Sequence, residues 1–112
     1  MRTMPMDNKA KLFSYLGLAT RAGKLASGDG AVLDAIRGGE AKLVVLAEDA
    51  SDNTRKKITD KCNHYDVPLL VFGSRSELGA STGKEERVVF AVTDSGFAKL
   101  IARCQVIPAE VE

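Results

Sequence analysis

Cysteine and histidine are scarce in this chain, whose 112 residues hold two cysteines, Cys62 and Cys104, and one histidine, His64. A structural zinc site takes four Cys or His ligands, commonly in close pairs. Cys62-Asn63-His64 with a distant Cys104 supplies three at poor spacing. No metal, no cofactor and no Cys-His catalytic pair is expected. The two thiols read as free and half-buried, and His64 as a surface residue. An excess of one charge is also missing: Lys plus Arg number 16 and Asp plus Glu 15, for a net charge of +1. That excludes a uniformly basic, nonspecific nucleic-acid coat and leaves room for a local patch. There is no run of ~20 apolar residues to cross a membrane and no apolar core for a signal peptide. A cytoplasmic protein that avoids membranes is expected. With 45% apolar and 28% charged residues, the composition is that of an ordinary folded domain and excludes disorder.

The length suits one domain. Residues 1–6 are expected to be a flexible leader, 7–107 the domain and 108–112 (Pro-Ala-Glu-Val-Glu) a short acidic tail. Asp7 or Asn8 can cap a first helix in which Leu12, Phe13, Leu16 and Ala19 make an apolar stripe, with Gly23 as its stop. Leu25-Ala26-Ser27 makes a brief strand. A second helix follows Gly28-Asp29-Gly30, faces inward with Val32, Leu33 and Ile36, and ends at Gly38-Gly39. Residues 42–47 are an apolar, β-branched run that predicts a buried strand. Asp49, Ser51 or Asp52 can then cap a third helix, with Ile58, Cys62 and Tyr65 turned inward.

Pro68 stops the third helix ahead of a second buried strand, 69–72. Ser74-Arg75-Ser76-Glu77 reads as a capping box opening a short helix. Residues 88–92 form the next strand. Asp94 or Ser95 caps a last helix with Phe97, Leu100, Ile101 and Cys104 on its apolar face. Uniformly apolar strands imply a sheet covered on both faces. The fold class is therefore α/β, a single-domain three-layer α/β/α sandwich with a small mixed sheet.

Several patterns resemble catalytic motifs and fail as such. Gly79-Ala80-Ser81-Thr82-Gly83-Lys84 has three residues between its glycines where a P-loop needs four, and Glu85 stands where Ser or Thr should follow. There is no Gly-x-Ser-x-Gly elbow and no His to activate a nucleophile. No enzyme is expected. Arg55-Lys56-Lys57 reads as a solvated helix face paired with Asp52 and Asp60.

Two loops carry the binding potential. Gly23–Ala31 enters a helix N-terminus through glycines, where free N–H groups and the helix dipole favour an anion. Arg21 and Lys24 add charge nearby. Gly83-Lys84-Glu85-Glu86-Arg87 is the second, with Arg75 at the start of the preceding helix. Neither loop has an aromatic residue for base stacking, so RNA would be read by shape and backbone.

The segments Gly23–Gly28, Ala41–Asp49 and Ser74–Gly79 with Gly83, taken in this order, resemble the L-seven-Ae family of kink-turn-binding ribosomal proteins. The likeness spans about residues 9–104. Leu16-Gly17-Leu18-Ala19-Thr20-Arg21-Ala22-Gly23-Lys24 and the run from Glu48 to Lys57 are most similar to its bacterial, YlxQ-like branch. The resemblance implies the α/β/α fold and a non-catalytic protein that binds structured RNA, a kink-turn or ribosomal RNA, on the ribosome. It implies an RNA site at Lys24, Ser27, Gly28, Asp29, Gly30, Ala31, Arg75, Lys84 and Arg87.

The family's contact turn reads Gly-x-Asn-Glu-x-x-Lys. Gly28 matches its glycine, while Gly30, Ala31 and Asp34 replace its Asn, Glu and Lys. The side chains that read sheared G·A pairs are therefore absent. Lys84 falls at a usually apolar position. A protein-protein interaction module on the same fold is the alternative. A monomer is expected.

Overall fold

The computed structural model describes residues 6–104. The expected tail 108–112 and residues 1–5 of the expected leader lie outside the described residues. The elements run α1 (Met6–Arg21), β1 (Leu25–Ser27), α2 (Asp29–Arg37), β2 (Leu43–Leu46), α3 (Asp52–Tyr65), β3 (Leu69–Val71), α4 (Arg75–Ser81), β4 (Val89–Val92) and α5 (Ser95–Arg103). The expected order of helices and strands is the observed one. α1 begins at Met6, so Asp7 and Asn8 fall in its first turn rather than at its cap.

The sheet is mixed, in the order β1-β4-β2-β3. β4 enters between β1 and β2, antiparallel to both, and β2 pairs with β3 in parallel. The uniformly apolar strands conceal a strict alternation. Leu43, Val45 and Ala47 of the β2 segment and Phe90 and Val92 of β4 face one core, shared with α1, α4 and α5. Val44, Leu46, Val89 and Ala91 face the other, shared with α2 and α3. Successive strand residues point to opposite faces, and helices cover both faces, so every position of the two central strands, β2 and β4, is apolar. The result is the three-layer sandwich.

The helix ends follow local chemistry. α1 stops in a Schellman arrangement: Gly23 donates to the Thr20 carbonyl and Lys24 to that of Ala19. Ser51 caps α3 by accepting from the Thr54 N–H, Asp94 caps α5, and Ser74 with Glu77 forms a full capping box on α4. Three apolar side chains expected inside are exposed instead. Tyr65 is 40%, Val71 38% and Leu100 37% accessible. Val71 lies on β3, an edge strand of the sheet. Tyr65 lies in the last turn of α3, where its ring rests edge-on against His64, and Ala98 takes the buried place on α5 expected of Leu100. The thiols, expected half-buried, are fully buried: Cys62 in the α2–α3 core and Cys104 in the other, on opposite sides of the sheet.

Candidate nucleic-acid interface

One end of the sheet gathers most of the residues singled out in the sequence. The C-termini of β1, β2 and β3 and the N-terminus of β4 meet there. Gly28 donates to Val89 O, Ala47 to Val88 O, and Glu48 to Gly73 O. α2, α3 and α4 all begin at this end, so three helix N-termini with positive dipole ends lie close together.

Gly28 opens α2 with φ 95° and ψ 156°, and no side chain caps the helix. That positive φ is costly for any residue with a Cβ. Nothing lies within 4 Å of where a Cβ would sit on Gly28 or Gly30, so the turn presents bare backbone. Asp29 and Gly30 form the first turn, and Ser27 is held in the ladder opposite Phe90.

Arg75, the first residue of α4, ties this end together. Its backbone N–H donates to Asp49 Oδ1 at 2.9 Å, its Nε lies 3.7 Å from Asp49 Oδ2, and its carbonyl accepts from the Arg87 N–H. Of the three candidates for the α3 cap, Asp49, Ser51 and Asp52, Ser51 takes it. Asp49 instead accepts from the first N–H of α4, whose N-cap is Ser74. The chain from Thr82 to Arg87 doubles back along α4. Gly83 reverses it at φ 73°, and Lys84 donates to the Gly79 carbonyl. Gly79 lets the returning strand lie against the helix, since a Cβ there would run into the Glu85 carbonyl. Arg87 is thereby returned to Arg75, while Lys84 stays level with Gly79, set back along the helix.

The structure separates Lys24 from this cluster. Lys24 precedes β1, and its carbonyl accepts from the N–H and hydroxyl of Thr93 just past β4. It therefore lies at the opposite end of the sheet from Gly28.

The charge run on α3 is only partly the expected face. Lys56 pairs with Asp60, but Lys57 reaches Asp29 Oδ2 at 3.4 Å and Arg55 donates to the Glu48 carbonyl at 2.7 Å. These two side chains belong to the glycine end. Their signal in the sequence was their place in the first turns of a helix that starts there. The Asp29 carboxylate balances Lys57, as Asp49 balances Arg75.

Among the described residues no group of His, Cys, Asp and Glu could hold a metal, and no helix is long and apolar enough to cross a membrane. Burial pushes the Cys62 thiol up to about 11 and the Cys104 thiol upward, the latter opposed by nearby Lys11. Both thiols thus stay protonated at neutral pH, unsuited to nucleophilic work.

The model of the ribosomal protein L7Ae/L30e/S12e/Gadd45 family matches residues 10–102. The RNA-binding protein YlxQ of Bacillus subtilis (strain 168) is 60% identical over 91 residues, 80% of this chain and 91% of that protein. The RNA-binding protein YlxQ of Enterococcus faecium is 45% identical over 96 residues, 86% of this chain and 92% of that one. A solved structure from Bacillus halodurans C, described as of unknown function, superposes with a TM-score of 0.83 at 45% identity, over 85% of this chain and 96% of that one. By these likenesses the chain belongs to the ribosomal protein L7Ae/L30e/S12e/Gadd45 family, on its bacterial YlxQ-like branch.

Proposed function

We propose that this protein is a non-catalytic, cytoplasmic binder of structured RNA, kink-turn-like or ribosomal, that works as a monomer at the glycine end of its sheet. One observation carries the reading. The uncapped N-terminus of α2, opened by Gly28, shares an end of the sheet with Arg75 and Arg87. Bare N–H groups and a helix dipole favour a phosphate, and glycine lets the RNA backbone come close. The printed names of the two YlxQ relatives, as RNA-binding proteins, support it. Ser27, Gly28, Asp29, Gly30 and Ala31 form the backbone cradle. Arg75, Lys84 and Arg87 hold phosphates on its flank.

A protein-interaction module is favoured by a different observation: Lys57 and Arg75 are each matched by a carboxylate, Asp29 and Asp49. One titration separates the two readings. Labelled kink-turn RNA and a control lacking the tandem G·A pairs are each titrated with wild type and with Arg75→Glu. RNA binding at this end predicts that Arg75→Glu weakens the complex at least tenfold. Tight binding of the intact kink-turn alone supports kink-turn recognition, and equal binding of both RNAs supports another structured RNA. Absence of binding at low salt rejects the RNA reading, and unchanged affinity in Arg75→Glu rejects this site.

A further inference from the structure

The end of the sheet opposite Gly28 carries a groove of about 250 Å³. Its floor is Leu43, Pro68, Ala98 and Ala102, and Lys42 and Lys99 also line it. The groove follows one stripe of α5, since Ala98, Lys99 and Ala102 stand at helical spacing. The floor is almost wholly apolar. Neither lysine has a carboxylate within ion-pair distance among the described residues, and the Lys42 ammonium meets only the Gly39 carbonyl, at 3.4 Å. At the glycine end, Lys57 and Arg75 are each matched by an acid.

Such a surface fits a short segment that alternates apolar side chains with carboxylates and carries no cation. Residues 105–112 of this chain read Gln-Val-Ile-Pro-Ala-Glu-Val-Glu. Val106, Ile107 and Val111 supply the apolar groups, and Glu110 and Glu112 the charges. We propose that this segment turns back along α5 and docks in the groove, with its glutamates against Lys42 and Lys99.

The lengths allow it. From Ser95 to Ala102 the stripe rises about 10 Å at ~1.5 Å per residue, and eight extended residues reach about 26 Å at ~3.3 Å each. The segment begins at Gln105, three residues beyond Ala102 and two beyond the last residue of α5. Pro108 cannot continue a helix and favours an extended neighbour. Tethering makes the encounter intramolecular, at an effective concentration in the millimolar range, so modest contacts suffice.

The test uses the full chain and methyl NMR. Docking predicts cross-relaxation between the Ile107 or Val111 methyls and those of Ala98, Ala102 or Leu43, unchanged on tenfold dilution. Lys42→Glu with Lys99→Glu is expected to cut these cross-peaks to less than half at low salt, and adding Glu110→Lys and Glu112→Lys to restore them. The amide spectrum of the core confirms that each variant is folded. Absence of the cross-peaks in wild type overturns the proposal. Cross-peaks that vanish on dilution also overturn it and assign the groove to a second copy.

Discussion

At the scale of single residues, the two thiols show how burial sets chemistry. Cys62 is 2% accessible among Val44, Ile58 and Val67, and desolvation lifts its pKa from 9.0 to about 11. A thiol that is harder to ionise when folded binds more protons in the native state between those values. Its contribution to stability is therefore complete below pH 9 and is lost as pH rises towards 11. At ~1.4 kcal/mol per unit, the loss is on the order of 3 kcal/mol. Urea unfolding of wild type is expected to show it across that window, and Cys62→Ala to show a flatter pH dependence. Equal slopes in the two proteins would mean that the thiol ionises freely in the fold. The scarcity of cysteine was legible in the sequence, but the depth of burial was not. Cys62 and Cys104 fit helical stripes, yet only the packing of helices on both sheet faces closes water out.

At the scale of elements, α4 and its return loop form one unit. Gly79 permits the close approach that returns Arg87 to Arg75, and the capping box fixes where the helix starts. Gly79→Ala is expected to destabilise the protein by about 1–3 kcal/mol, the usual cost of overpacking, and to weaken RNA binding by displacing Lys84 and Arg87. Gly30→Ala, in open space on a helix, is expected to be neutral or stabilising by up to ~1 kcal/mol. Denaturation midpoints of the two variants measure the difference, and equal midpoints would remove the loop-packing role from Gly79. The Ser74–Glu77 box was plain in the sequence because a cap is chemistry between residues three apart. The contacts Asp49–Arg75 and Asp29–Lys57 span 26 and 28 residues, and no local pattern announces them. The position of β4 between β1 and β2 was equally hidden, because a strand apolar on both faces looks the same in any register. Tyr65 and Leu100 sat at helical spacing, but the stripes they fit lie at the margin of the helix-sheet contact.

At the scale of the whole molecule, a net charge of +1 means that binding depends on where charge is free, not on its total. Lys24 and Gly28 flank the three-residue β1, ~13 Å apart at ~3.3 Å per residue, beyond the screening length of ~10 Å at 0.1 M salt. Lys24→Glu is therefore expected to leave RNA affinity within about twofold. If Arg75, Lys84 and Arg87 are the phosphate contacts, each contributing ~0.7–0.9 to the slope of log affinity against log salt, raising salt from 50 to 200 mM weakens binding about 20- to 40-fold. Asp29→Asn then becomes the informative variant. It removes the partner of Lys57 and an anion from the mouth of α2. If phosphate occupies that mouth, the variant binds RNA more tightly and its slope steepens by about one further contact. A weaker complex with an unchanged slope would show that the Asp29 carboxylate itself accepts a hydrogen bond from the RNA, and that the loop reads a base edge where it was assigned a phosphate.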